Sequence, residues 1–380
     1  MQSIYSKDFK LGVLGGGQLG RMLIQDAINL DVKVYCLDPS ADAPCSKISH
    51  GFTIGDFNDY QTVMDFGKDK DVLTIEIEHV NIQALKELEN DGVKVFPQSR
   101  IIEMVQDKGA QKLFYKEHGI PTSGFVLVEN AVQLQKELGV DKKVQKLRRG
   151  GYDGRGVQVL DGKMDAAKIF DQPSVLENLV DIKKELAVIV ARNEKGEVAS
   201  FPVVDMEFNP DANLVEFLFS PAEISSDIEK QARKLAEDLI SKLEVVGLLA
   251  VELFLNTEDE LLVNEIAPRP HNSGHHTIEA NITSQYAQHL RAILGLPLGS
   301  TSVIKPAAMI NLLGESGFQG AVKYEGLKQV LKLPGVYVHL YGKTETKPFR
   351  KMGHVTVLGN NSDELKEKAK SIKQKLKVKA

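Results

Sequence analysis

Cysteine is scarce: there are two in 380 residues, Cys36 inside an apolar run and Cys45 in the polar stretch beyond it. A pair so placed builds no disulfide framework and suits a reducing compartment. Long apolar runs are missing as well. None approaches the roughly 18–20 residues that cross a bilayer, and the chain does not open on a basic region followed by an apolar one. No membrane partner and a cytoplasmic location are therefore expected. Basic charge is not in excess either: 47 Lys and Arg face 52 Asp and Glu, a net −5, so nothing points to a nucleic-acid partner. No internal repeat or low-complexity segment occurs. What remains is ordinary for a soluble globular protein, with 42% hydrophobic and 26% charged residues, in a chain longer than one hydrophobic core usually organises.

The first hundred residues alternate apolar strands with amphipathic helices. Strands are expected at Leu11 to Leu14, Val32 to Leu37, Val72 to Ile77 and Val93 to Phe96, and helices at Gly20 to Leu30 and Ile82 to Glu89, a parallel α/β pattern. Past Pro97 the rhythm changes. A helix from Lys108 to His118 leads into antiparallel-looking strands at Gly124 to Val128, Lys143 to Leu147 and Val175 to Val180. A hairpin, Glu185 to Ala191 with Val198 to Val204, closes around Gly196, and a helix runs from Asp227 to Leu243. The expected division is 1–100, 101–300 and 301–380, the last stretch too short to work alone and read as a cap. Its final helix, Asp363 to Lys377, carries Leu365, Ala369, Ile372 and Leu376 on one stripe, which is expected to pack on the cap while its lysines face solvent.

Two acidic residues carry the strongest chemical signal. Glu252 lies in the apolar run Leu248 to Leu255 and Glu265 in the run Leu261 to Ile266, around a four-residue turn from Thr257 to Glu260, so the two face each other on a hairpin. Facing like charges repel, increasingly so as water is removed. A hard divalent cation with oxygen ligands, magnesium shared with substrate phosphates, resolves the conflict, and Asn264 adds an amide oxygen. Upstream, Lys146 ends a strand and precedes Gly150-Gly151-Tyr152-Asp153-Gly154-Arg155-Gly156, with Arg148 and Arg149 between. Cations crowded into a glycine-rich loop suit a polyanion, and together with the acid pair they point to ATP with magnesium. The run Val175 to Val180 offers a backbone edge for an adenine, and Glu185 an acceptor for ribose hydroxyls.

A second glycine motif, Gly15-Gly16-Gly17-Gln18-Leu19-Gly20, follows the first strand, and Asp38 closes the second. Its spacing fits a dinucleotide, another phosphorylated ligand or a tight structural turn. His271, His275 and His276 invite a zinc reading, but Pro268, Pro270 and Gly274 exclude a regular helix there, so a substrate-binding loop accounts for them better.

In combination, Gly15 to Gly20, Gln106-Asp107-Lys108, Lys146 with Gly150 to Gly156, Glu177-Asn178-Leu179-Val180, Asn264 to His275 and Lys351-Met352-Gly353-His354 resemble the N5-carboxyaminoimidazole ribonucleotide synthetases, ATP-grasp carboxylating ligases of purine biosynthesis. The resemblance runs from about residue 10 to 358 and implies an ATP-grasp fold preceded by a Rossmann-like parallel α/β domain and followed by a small C-terminal cap domain. It implies an ATP-dependent carbon–nitrogen ligase, working as a homodimer on aminoimidazole ribonucleotide, bicarbonate and ATP. Arg100, Lys108, Lys146, Gly151, Gly154 and Gly156 would meet ATP, Glu177 to Val180 its adenine, Glu185 its ribose and Asn264 its metal-bound end, with Glu252 and Glu265 holding Mg2+. Tyr152, Asp153, Arg155, His271 and Asn272 would bind the ribonucleotide, Lys343 and Arg350 its 5′-phosphate, and Gly17, Gln18, Leu19 and Glu76 would join that site. Asp153 would orient or deprotonate the amine while Arg155 and His271 hold bicarbonate. The chain departs from the pattern at Phe208, where relatives carry a histidine, and at Glu78-His79, where they read Glu-Asn. A formate-dependent glycinamide ribonucleotide transformylase of the same fold and an NAD-dependent oxidoreductase are the alternatives.

Overall fold

The computed structural model describes residues 4–151, 156–161, 168–209 and 214–380. Strands β1 (Leu11–Leu14), β2 (Val34–Asp38), β3 (Gly51–Ile54), β4 (Val72–Ile75) and β5 (Lys94–Val95) pair in parallel in the order 3-2-1-4-5. Helix α1 (Gln18–Asn29) covers one face, packing Leu19, Met22 and Leu23 with Leu11 and Val13. Helices α2 (Tyr60–Gly67) and α3 (Ile82–Asn90) cover the other, packing Val63, Leu85 and Leu88 with Leu14 and Leu73. The strand order reverses between β1 and β4, and the crevice beyond their carboxyl ends is where such sheets take ligands. The sequence patterns gave no element between Asp38 and Val72. β3 escaped because it is a four-residue edge strand, half exposed, and α2 because its start is marked only by Asp59, which accepts from the Thr62 N–H at 2.8 Å.

Helices α4 (Ser99–Val105) and α5 (Lys108–Glu117) lead out of this unit, and Asp107 caps α5 by accepting from Gly109 N at 2.8 Å. Strands β6 (Phe125–Val128), β7 (Lys143–Leu147), β8 (Val157–Leu160) and β9 (Ser174–Asn178) form an antiparallel sheet ordered 6-9-7-8, with α6 (Ala131–Glu137) between β6 and β7. One expectation fails here. β9 has no free edge, because Glu177 pairs with Phe125 on one side and Val144 on the other. Only Leu179 and Val180 run past the last ladder pair, so any backbone recognition of a base falls to them.

Among the described residues the largest sheet has nine strands: β10 (Ile182–Arg192), β11 (Val198–Ser200), β12 (Val204–Asn209), β13 (Leu214–Ser220), β14 (Gly247–Asn256), β15 (Leu261–Ala267), β16 (Ala307–Leu313), β17 (Val336–Leu340) and β18 (Lys351–Leu358). Its order is 15-14-10-12-13-16-18-17, with β11 beside β10. Helix α7 (Ser226–Leu243) lays Ile228, Ala232, Ala236 and Leu239 against Leu186, Val188, Leu249 and Val251, and its αL terminus at Glu244 stops it. Helix α8 (Gln285–Ile293) packs between β14 and α1. The C-terminal strands therefore continue the sheet of the middle of the chain through the β13–β16 ladder. Helix α9 (Ser362–Lys375) buries Leu365, Ala369 and Ile372, with Leu376 beyond it, against Ile310, Val355 and Val357.

Candidate active site

Glu252 and Glu265 pair directly across the β14–β15 ladder. The expected register is met by a different route. Leu255 pairs with Leu261, so five residues rather than four close the turn, and a bulge at Asn264 restores the alignment before Glu265. The bulge breaks the strand's period of two. Asn264 and Glu265, though adjacent in sequence, both leave the core face that Val263 and Ile266 occupy. Glu185, two positions along β10 from the Ala187 that pairs with Glu252, shares that face.

Burial, and then Glu265 across the ladder, push the Glu252 carboxyl well above the usual range. Lys108, whose Nζ donates to Glu265 at 2.5 Å, holds the second acid well below it. Among the described residues Glu265 has a lysine in salt-bridge contact, whereas Glu252 has only the His271 ring at 3.7 Å. Two carboxylates plus the Asn264 amide are all oxygen donors, a set that suits a hard divalent ion. Glu185 is pushed up to about 7 by burial, which the nearby Lys146 offsets only in part. Lys146 donates to Asn264 Oδ1 at 2.8 Å and lies 3.1 Å from Glu177. The Glu177 side chain thus points into the protein beneath the lysine, away from any base at the end of β9.

Above this floor opens a cavity of about 640 Å³. Gln18 and Leu19 of the glycine loop, Glu76, Lys108, Gly151 and Asn272 line it, so the parallel sheet and the acid hairpin share one space. His271 lines it too, with Nε2 3.7 Å from Glu252. Asn272 is fixed by reciprocal side-chain bonds with Asn311 at 2.8 and 2.9 Å. The glycine loop does not offer a bare cradle of N–H groups. Gly16 N donates to Asp38 at 2.8 Å and Gly20 N to Glu76 at 2.5 Å. Asp38 also accepts from Ser40 N, so it is not presented to a ribose as a dinucleotide site requires. Burial pushes Glu76 up to about 7 despite those amides.

Other expected residues lie elsewhere. Lys343 and Arg350 are not in the cavity lining: Lys343 donates to the Lys351 carbonyl at 2.7 Å and Arg350 to the Glu345 carbonyl at 2.7 Å, and Lys351 is the residue of that region that lines the space. Arg100 pairs with Glu244 at 3.4 Å on the surface. Asn178 accepts from Lys143 at 2.5 Å. Gly156, at φ 75°, closes the loop by accepting from Leu147 N at 2.8 Å. Tyr152, Asp153, Gly154 and Arg155 lie outside the described residues. Phe208 packs against the core around Met206 and Val215, and His79 lines the cavity. His275 has Nδ1 3.0 Å from the Tyr286 hydroxyl, and burial pushes His276 down to about 3. Among the described residues no group of three or more His, Cys, Asp or Glu is arranged around a metal position. Arg269, 2.8 Å from Glu78, and Lys351 line the cavity without having been singled out, although both stand inside the motifs quoted for the resemblance.

Family models for the ribonucleotide synthetase preATP-grasp domain, the ATP-grasp domain and the phosphoribosylaminoimidazole carboxylase C-terminal domain match residues 9–106, 113–286 and 307–368. The crystal structure of N5-carboxyaminoimidazole ribonucleotide synthetase from Thermotoga maritima superposes with a TM-score of 0.91 at 43% identity, over 98% of this chain and 99% of that one. The chain belongs to the N5-carboxyaminoimidazole ribonucleotide synthetase family. The synthase of Aspergillus clavatus, solved with ADP and 5-aminoimidazole ribonucleotide, has 33% identity and a TM-score of 0.87 over 97% of this chain and 98% of its own. The chloroplastic phosphoribosylaminoimidazole carboxylase of Vigna aconitifolia is 41% identical across 92% of this chain, which spans only 64% of that longer protein. Within the synthetase family the parallel sheet is the preATP-grasp unit, the acid hairpin belongs to the ATP-grasp fold, and β16 to β18 with α9 form the C-terminal cap. Among the described residues no helix is long and apolar enough to cross a membrane.

Proposed function

We propose that this chain uses ATP and bicarbonate to carboxylate 5-aminoimidazole ribonucleotide, giving N5-carboxyaminoimidazole ribonucleotide, ADP and phosphate in purine biosynthesis. The observation that carries the reading is the facing pair Glu252 and Glu265: Glu265 lines, with Lys108, the cavity that the glycine loop also enters, Glu252 stands directly across the ladder from it, and Lys146 holds the adjoining Asn264. In this reading Lys108 and Lys146 neutralise the transferring phosphoryl group as a bicarbonate oxygen attacks the γ-phosphorus and ADP leaves. The carboxyphosphate so formed breaks its C–O bond to phosphate and carbon dioxide. The exocyclic amine adds to that carbon and gives up a proton. Magnesium on Glu252 and Glu265 supplies charge neutralisation at the phosphates when bound. Confinement keeps water from the intermediate.

His271, beside Glu252, is assigned to bicarbonate together with Arg155, and Asp153 to the amine; the roles of Tyr152, Asp153 and Arg155 rest on the family resemblance. Gln18, Leu19, Glu76 and Asn272 are assigned to the ribonucleotide because they line the cavity. Lys343 and Arg350 act on the 5′-phosphate in this reading, Lys343 also bracing Lys351 through its carbonyl. Two free, buried cysteines fit a cytoplasmic enzyme, and the family resemblance supports a homodimer.

Phosphate release from ATP, with aminoimidazole ribonucleotide and bicarbonate added singly and together, tests this directly. Full release is expected only with both. Release driven by glycinamide ribonucleotide and formate, or nicotinamide binding without any ATP turnover, would sink it.

A further inference from the structure

A third lysine lies beneath the two assigned to phosphate. Lys112, on α5 one turn beyond Lys108, has a side chain only 3% exposed. Its ammonium donates to Thr122 Oγ1 at 2.6 Å and Ser123 Oγ at 3.2 Å, and lies 3.2 Å from Glu177 Oε2. Thr122 in turn donates to the Val263 carbonyl at 2.7 Å, which ties the group to β15. Held this way, Lys112 does not reach the large cavity. Glu177, 4% exposed, turns its other oxygen to Lys146 at 3.1 Å and accepts from Ser123 at 2.5 Å. One buried carboxylate thus has two lysines, and between them and Asn264 lies a space of about 10 Å³, room for roughly one water.

Stranding a buried carboxylate without a counter-ion is far costlier than leaving it paired. If Lys146 were the sole partner of Glu177, it would be held back from a phosphate by the charge it must abandon. From this geometry we infer that Lys112 is a reserve counter-ion: it keeps Glu177 paired when Lys146 transfers to a nucleotide phosphate, making Lys112 and Glu177 positioning residues of the nucleotide site. The inference rests on the reading that the site takes ATP. It also explains why Glu177 turns inward at the end of a strand whose continuation, Leu179 and Val180, is what remains for the base. Burial pushes Lys112 down to about 8, so its charge is itself adjustable. The groups facing it are Glu177 on β9, Lys146 on β7, Lys108 and Tyr115 on its own helix, and Glu265 on β15 across the small space.

The test is calorimetric titration of the full-length chain with the non-hydrolysable imido analogue of ATP. Lys112→Met is expected to weaken binding by about tenfold. The double variant Lys112→Met with Glu177→Gln should recover most of that loss, because the carboxylate that retains Lys146 is gone, a rescue that a packing defect would not show. Affinity of Lys112→Met within about twofold of the wild type, or a double variant no tighter than Lys112→Met, overturns the inference. Should Lys112→Met fail to fold, the wild type still decides the matter: between about pH 7 and about pH 9 its affinity should fall several-fold as Lys112 loses its proton, and that step should vanish in Glu177→Gln. A step that persists in Glu177→Gln, or a flat wild-type profile, counts against the proposal. Failure of the wild type to bind the analogue would overturn the ATP reading instead.

Discussion

Glu252 and Glu265 are identical side chains on paired positions, and the largest difference between them is one lysine. Lys108 serves Glu265, so that carboxylate contributes stability above its unfolded range and loses it as pH falls. Glu252 is the reverse case: burial and the facing acid make the folded chain keep a proton that the unfolded chain has released. Its share of stability is present at low pH and drains away as pH rises from the usual carboxylate range up to about 8. Glu252→Gln, which has no proton to lose, is therefore expected to raise the Tm of metal-free protein at pH 7 by about 2–4 °C while lowering turnover by at least about 100-fold. Thermal scans with and without magnesium check both parts, and the cation should stabilise the wild type but not the variant. A lower Tm for Glu252→Gln would mean the acid pair is not under charge stress. Glu265→Gln should do the opposite in metal-free protein and lower Tm, since it leaves the half-buried Lys108 without its 2.5 Å partner.

At the scale of the element, two irregularities create the site. The bulge in β15 puts Asn264 and Glu265 on one face, and deleting Asn264 leaves Val263, Glu265 and Ile266 in regular alternation, with Glu252 still opposite Glu265. The deletion variant is expected to fold with a Tm within about 4 °C of wild type, yet to bind nucleotide several-fold more weakly because Lys146 loses its 2.8 Å partner. Unfolding of that variant would show that the bulge is needed for the sheet rather than for the site. The second irregularity is the entry to α1, where a Cβ at Gly17 would stand 2.0 Å from Glu76 Oε1. Gly17→Ala must expel Glu76 from the helix N-terminus, so affinity for aminoimidazole ribonucleotide is expected to drop by about tenfold with the affinity for ATP unchanged. Paired titrations with the two ligands decide it.

These elements show what a single chain discloses. The parallel unit was legible because its strands are continuous apolar runs and its helices carry a clear stripe, as in Leu11 to Leu14 and Met22 to Ala27. The Glu252–Glu265 pairing was legible because two strand patterns close together in sequence admit few registers. The neighbours of β9 were not, since apolar composition marks a strand but not whether both its edges are taken. Nor was Lys112, because the groups that hold it, Thr122, Ser123 and Glu177, meet it only once α5 and β9 have packed together. Lys343 and Arg350 were assigned through the resemblance alone, while Lys351, which lines the cavity and whose carbonyl accepts from Lys343, drew no separate signal from the sequence.

On the scale of the whole molecule, the cavity exists only because three parts are held in register. His289 on α8 bridges two of them: its ring lies 3.0 Å from Thr74 Oγ1 on β4 and accepts from Leu248 N on β14 at 3.2 Å. Burial pushes it down to about 3, so it stays a neutral strut at any ordinary pH. The third part joins by main-chain hydrogen bonds, since β16 is laddered to β13 from Phe217 to Ser220, and Phe219 packs into the core formed by Ile310, Val355 and Leu365. An open β13 would present a row of unpaired backbone groups beside exposed apolar side chains, the arrangement that seeds edge-to-edge association. Cutting the chain after residue 306 should therefore do more than remove a cap. The 1–306 fragment is expected to aggregate or to lose cooperative unfolding, and the full chain to show its large sheet melting in one calorimetric transition that includes β16 to β18. A soluble fragment that keeps wild-type affinity for the ATP analogue would show instead that the C-terminal strands are appended to a sheet already complete without them.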